Sequence, residues 1–207
     1  MCVALGDGGL AGVEGRYHSQ GISCYCWRIF PIIFQRGVYP MDQFEKIKKY
    51  GLMMLVLQEE KVKSYITTVT SHIGNWLETG KVQRVVLVIS SVATKEVFER
   101  WNFLIETDRK VTKNGVSREK SDKEIMGEIQ AIMRQITCCV TFLPNLEEPC
   151  SFELLVYIDK DFEAPNTWEE SDAKLIKKAQ EVKLHSFDTK VHKIDSLVTY
   201  KLDDIDV

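Results

Sequence analysis

Between positions 61 and 78 apolar residues recur three and four apart, at Val62, Tyr65, Ile66, Val69, Ile73, Trp76 and Leu77. That spacing gathers them on one helical face, so the segment predicts an amphipathic helix packed on a core. Gly80 stands just beyond it, where a helix C-terminus takes a left-handed residue. Ahead of the helix, the apolar run "LMMLVL" (Leu52–Leu57) predicts a strand. Behind it, residues 82–90 are rich in β-branched side chains and almost continuously apolar. This is the pattern of a central strand buried on both faces. "EVFERWNFLIE" then sets Val97, Trp101, Phe103 and Ile105 on one face, and the two runs predict an antiparallel pair.

A polar loop with a turn at Asn114-Gly115 leads to the strongest helical signal. Ser121 and Glu124 have capping-box spacing, in which each side chain satisfies an orphan backbone N–H. Ile125, Ile129, Ile132, Met133, Ile136, Val140 and Leu143 form one stripe that continues to Pro144, where a helix must stop. "SFELLVYID" follows, a strand with Phe152, Leu154, Val156 and Ile158 alternating. Residues 159–181 offer no confident strand and only a faint helical periodicity at 174–180. So long a structureless connection is uncommon in a compact domain, and Phe162 and Trp168 argue for a lid over a linker.

The closing stretch "HSFDTKVHKIDSLVTYKL" changes phase twice. Val182 and Leu184 are on even positions, Phe187 and Val191 on odd ones, and Val198, Tyr200 and Leu202 on even ones again. A change of phase turns every side chain to the other sheet face, so each one needs a turn or a bulge. The segment predicts a hairpin whose register permits more than one pairing. The class is α+β.

Composition narrows the function. The chain of 207 residues has room for one large domain or two small ones. A net charge of −3 argues against a surface that tracks phosphates. No run approaches the ~20 apolar residues of a membrane span, and the first fifteen residues lack the regions of a signal peptide. Six cysteines without a secretory pattern suggest reduced thiols and an intracellular location.

Candidate chemistry is sparse. "GDGGLAG" (6–12) has glycines but neither a preceding strand nor a following Gly-Lys-Ser/Thr, so it reads as a tail rather than a phosphate loop. Cys138, Cys139, Cys150, His185 and His192 lack the spacing that brings two ligands to one metal ion. No cysteine has an elbow or an oxyanion signature around it, and Asp159 and Asp161 read as a solvated turn. The basic run Arg109, Lys110, Lys113, Arg118 and Lys120 lacks interleaved aromatics and reads as a loop. No enzyme, cofactor or metal site is expected, and protein binding remains.

"ERWNFLIETD", "REKSDKEIMGEIQAIMRQIT", "VTFLPNLEE", "CSFELLVYIDKD", "WEES" and "FDTKVHKIDSLVTYK" carry a specific likeness. From about Phe34 to Leu202 the chain resembles the HORMA-domain proteins of the spindle assembly checkpoint, the mitotic-arrest-deficient-two family. The resemblance implies a sheet packed on about three helices, with a core at 34–158, a mobile C-terminal safety belt at 159–207 and a divergent, partly flexible segment at 1–33. It implies an adaptor that switches between open and closed conformers. A partner peptide would add a strand beside Phe152, Leu154, Leu155, Val156, Tyr157 and Ile158, since main-chain bonding gives affinity and alternate pockets give specificity. The belt would close over it through Trp168, Val182, Leu184, Phe187, Val191, His192, Ser196, Val198 and Tyr200.

The implied partners are the checkpoint scaffold mitotic-arrest-deficient protein one, other checkpoint-complex subunits, and the Cdc-twenty activator of the anaphase-promoting complex, whose capture delays anaphase. Open and closed copies would dimerise through Arg134, Gln135, Thr141 and Phe142, with His185 where relatives often carry arginine. Nucleus, nuclear envelope, kinetochore, spindle and cytoplasm are the implied locations. Other HORMA adaptor roles, in translesion synthesis or on the meiotic chromosome axis, are the nearest alternatives, and a cysteine-dependent enzyme is a more distant one. Pro31 falls where the family has an N-terminal helix, and an interior proline costs ~3 kcal/mol. Either that helix is shortened to begin at Pro31, or the segment is an alternative start.

Overall fold

The computed structural model describes residues 1–5, 23–49, 51–107, 121–188 and 192–202. The Gly-rich stretch 6–12, the Asn114-Gly115 turn with its basic run, and Val191 lie outside the described residues. The main sheet has eight strands: β1 (Cys2–Leu5), β4 (Val82–Ser91), β5 (Val97–Thr107), β6 (Cys150–Ile158), β7 (Trp168–Glu170), β8 (Ala179–Lys183), β9 (Phe187–Asp188) and β10 (His192–Lys201). Its order is β7-β1-β6-β4-β5-β10-β8, with β9 also paired to β10. A separate hairpin joins β2 (Phe44–Lys49) to β3 (Leu52–Leu57), turning at Gly51 with φ +70°.

Three helices, α1 (Ser23–Gln35), α2 (Glu60–Glu78) and α3 (Asp122–Cys139), supply the apolar faces that bury one side of the sheet. Ile66, Val69, Ile73 and Leu77 of α2 and Ile132 and Ile136 of α3 meet Leu87, Ile89, Leu154 and Val156 there. The amphipathic spacing therefore packs as expected. Helix α2 ends at Gly80, φ +66°, where the Gly80 N–H donates to Leu77 O at 2.9 Å and the Lys81 N–H to Trp76 O at 3.1 Å. These two bonds make the Schellman pattern. Ser121 and Glu124 close the capping box at the start of α3.

Four expectations are corrected. Helix α1 runs through Pro31 instead of starting there. The proline leaves one backbone bond unmade, a cost of ~3 kcal/mol. Burying Ile29, Phe30, Ile32 and Ile33 offsets it at roughly 1.5–3 kcal/mol each. Helix α3 stops at Cys139, short of Pro144, because Thr141 and Phe142 turn back to the Cys138 and Cys139 carbonyls. The faint helical signal at 174–180 forms no helix: Lys174 and Lys178 have φ of 51° and 53°, and the chain enters β8 at Ala179. The supposedly structureless lid also contains β7 and most of β8.

The two changes of phase acquire a physical cause. Strand β8 pairs with β10 from Leu197 opposite Lys183 to Lys201 opposite Ala179, while β9 pairs Phe187 with Ile194. Residues 184–186 thus face only residues 195–196, which is a one-residue bulge. The second change falls between β9 and β10, which pair antiparallel.

Candidate partner-binding site

Strand β6 pairs with β4 along one side, with Val85, Val86 and Leu87 opposite Val156, Leu155 and Leu154, which leaves its other side for a second strand. Leu154, Val156 and Ile158 face the helices, and Leu155 faces the reverse side with Val86 and Val88. Phe152 lies edge-on to Tyr39 and Tyr65, with centroids 6.2 and 6.1 Å away. The Leu154 N–H donates to the Tyr65 hydroxyl at 3.3 Å, and burial pushes that phenol up to about 12. Tyr157 is half-buried, with the Arg84 guanidinium 5.2 Å from its ring centre.

The edge of β6 is occupied by β1, antiparallel, with Cys2 opposite Tyr157, Val3 opposite Val156 and Ala4 opposite Leu155. Strand β7 lines the other side of β1, with Val3 opposite Glu170 and Leu5 opposite Trp168. Strands β6 and β7 are therefore separated by the width of one strand. From β7, residues 171–178 carry the chain to β8 at the far edge of the sheet. Lys174 meets Glu153 on the way at 3.8 Å.

Trp168 anchors the segment that follows β6 on α2. Its ring centre is 4.8 Å from that of Trp76, and its indole N–H donates to His72 Nδ1 at 2.7 Å. Phe162 adds an edge contact to Trp76 at 5.4 Å. The bond requires a His72 ring without a proton on Nδ1, and burial holds its pKa below the ordinary 6.5. The unfolded ring takes a proton more readily than the folded one, so stability from this contact is full above 6.5 and is lost as pH falls through the folded value. Burial lowers His192 as well, with the same sign. Thermal melts at pH 7.5 and 5.5, in wild type and His72→Gln, separate the two. We expect the variant to lose less stability on acidification than wild type, and equal losses would mean that protonation of His72 does not weaken its contact with Trp168.

The closing hairpin lies across the sheet from β6. Strand β10 pairs with β5 from His192 to Tyr200, and Val198 and Tyr200 are buried in the core. Leu184 and Ser196 are buried, Val182 is half-buried, and the Phe187 backbone pairs with Ile194. His192 Nε2 lies 3.4 Å from the Leu77 carbonyl, and Tyr200 donates to Gln180 at 2.8 Å. Two α3 side chains hold this end: Gln135 Oε1 accepts from the His185 N–H at 2.6 Å, and Glu128 from the Asp188 N–H at 3.0 Å.

Of the positions expected to meet a second copy, Gln135 thus has an intrachain partner in the His185 backbone. Arg134, Thr141, Phe142 and His185 are exposed, Phe142 half so at 50%.

Sequence reasoning missed residues 1–5 as a strand, His72 as an acceptor and a buried ion pair. Arg36 Nε donates to Glu99 Oε1 at 2.7 Å, and the Trp101 indole donates to Glu99 Oε2 at 2.9 Å. Burial pushes the Glu99 carboxyl up, against the opposing pull of Arg36 and the Trp101 bond. A signal existed: Glu99 has the same parity as Val97, Trp101 and Phe103, so a charge falls on the apolar face. Burial also raises the thiols of Cys2, Cys139 and Cys150, the opposite of an activated nucleophile. Among the described residues, no group of three His, Cys, Asp or Glu is placed to hold a metal ion.

The pattern of the HORMA-domain family matches residues 22–192. The maize protein described as mitotic spindle checkpoint protein MAD2 is 61% identical over 175 residues, 84% of each chain. The human mitotic spindle assembly checkpoint protein MAD2A is 43% identical over 94% of this chain and 91% of its own. A chain in the crystal structure of the mitotic checkpoint complex superposes with a TM-score of 0.80 at 41% identity, covering 87% of this chain and 96% of that one. The chain belongs to the HORMA-domain family and, within it, to the MAD2 spindle checkpoint proteins.

Proposed function

We propose that the protein is a non-enzymatic spindle checkpoint adaptor that captures a short partner segment as an added strand between β6 and β7. The observation that carries this reading is the slot itself, one strand wide, with edges on both sides and the belt running from β7 across the sheet. Main-chain bonding on two edges gives affinity with little sequence demand, and alternate side-chain positions add specificity. A wrapped belt places the affinity in a slow off-rate.

The core at 34–158 serves as the scaffold and 159–207 as the belt. Conversion to an open form would move the β8–β10 hairpin from β5 to the β6 edge. It would break the ladder from His192 to Tyr200, which makes the exchange slow. The partners are the checkpoint scaffold mitotic-arrest-deficient protein one and the Cdc-twenty activator of the anaphase-promoting complex, and holding the activator delays anaphase. This places the protein at the nucleus, nuclear envelope, kinetochore and spindle, and in the cytoplasm. Exposed Arg134, Thr141, Phe142 and His185, beside Gln135, form the face for a second copy.

The test leaves this chain unaltered, because Leu154 is fully buried and its truncation would cost roughly 2–5 kcal/mol of stability. The purified full chain should retain both partners, with slow dissociation. Prolines at alternate positions of the partner segment should abolish retention, since each removes a ladder N–H. Failure to bind either partner, with recovery of a polymerase or chromosome-axis protein instead, would overturn the reading.

A further inference from the structure

The slot is filled by this chain's own residues 1–5. The Met1 carbonyl accepts from the Ile158 N–H at 3.0 Å, and the Met1 nitrogen donates to the Ile158 carbonyl at 3.0 Å. On the other side the Ser171 N–H donates to the Cys2 carbonyl at 3.0 Å. Alternate side chains fill both faces of the sheet. Val3, 2% exposed, joins the core under the helices, and Ala4, 8% exposed, joins Val86, Val88 and Leu155 on the reverse. The HORMA-domain match begins at residue 22, so this strand lies outside that match.

From these observations we infer that residues 1–5 are a built-in pseudo-ligand, held in cis in the partner slot, and that partner capture requires their displacement. The inference rests on the reading of the slot as a partner site and goes beyond it by naming its resident occupant. Three features support it. The strand is bonded along both edges, as a peptide added between β6 and β7 would be. Its apolar alternation matches that of β6 residue for residue, Val3 with Val156 and Ala4 with Leu155. It is covalently tethered, so its effective concentration at the slot is on the order of millimolar and modest intrinsic affinity keeps it bound. A slot occupied about 90–99% of the time weakens apparent partner binding about 10–100-fold.

Val3→Asp/Ala4→Asp in the full chain places two carboxylates at buried positions and should expel the strand. If that pair fails to fold, Val3→Gly/Ala4→Gly weakens the strand without burying charge. Two readouts are needed. Hydrogen exchange without partner should rise at residues 155–158 and 169–171. Capture of a fluorescent segment of the checkpoint scaffold should strengthen about 10–100-fold, and a synthetic peptide of residues 1–5 should reverse it.

Equal capture by variant and wild type would overturn the inference and leave partner capture standing. Weaker capture by the variant would make β1 a structural strand and overturn it likewise. Exchange that rises while neither chain binds the segment would overturn the partner-site reading, and the inference with it. Protection that depends on protein concentration would place the strand in a second copy and overturn occupancy in cis.

Discussion

Arg36→Ala should destabilise the protein by roughly 3–5 kcal/mol, the usual cost of removing one partner from a buried ion pair. The pair is almost sealed from solvent, with side chains 4% and 1% exposed, so neither charge can turn to water. Arg36 also donates to the Pro144 carbonyl, tying the end of α1 to the turn after α3. Without it Glu99 keeps only its Trp101 contact, and its carboxyl, already raised by burial, should titrate higher still. An anion stranded in the core is penalised more as pH rises above the ordinary glutamate value of 4.5. The loss should therefore be smaller near pH 5 than near pH 8. Arg36→Met/Glu99→Leu, which removes both charges and keeps much of the volume, should recover most of the stability. Urea midpoints across pH for the three proteins check this. A single variant within 1 kcal/mol of wild type would mean that water reaches Glu99.

The parts of the fold legible in sequence are those whose periodicity is long and local. The α2 stripe, the β-branched run of β4 and the alternation of β6 each commit several residues to one pattern, so pairing partners are not needed to recognise them. The capping box announces the start of α3 for the same reason. Strands β1 and β7 are four and three residues long, and nothing in "CVAL" or "WEE" encodes that each finds its partner in the other. Their pairing comes from the tertiary context, since β1 sits between β6 and β7, strands distant from it in sequence.

The closing hairpin was legible in an intermediate way. Its breaks in phase announced irregularities but not their kind, and the first is a bulge opposite residues 195–196. Glu99 does not stand out in the sequence, because an apolar strand absorbs one charge without losing its pattern. Its partner lies sixty-three residues away, beyond the reach of any local rule.

Trp168→Ala should cost the belt roughly 3–5 kcal/mol, the range for truncating a buried tryptophan. The loss should stay local. Strand β7 spans Trp168–Glu170 and, among the described residues, pairs only with β1, whereas the β6-β4-β5-β10 ladders do not pass through it. Trp168 loses its contacts to Trp76 and His72 together, and with them the bond to His72 Nδ1. Hydrogen exchange should therefore rise at residues 168–171 and 1–5 while β4 and β5 stay protected, as expected for a unit that opens below the global limit. Trp168→Phe keeps an aromatic ring and loses the indole donor, so its effect should be nearer 1 kcal/mol. If the belt retains a captured partner, a loss of 3 kcal/mol from the bound state shortens residence about 150-fold. Uniform loss of protection across the sheet would mean that the belt and core unfold as one. The slot could then not open while the scaffold stays folded, and strand exchange would require unfolding of the whole domain.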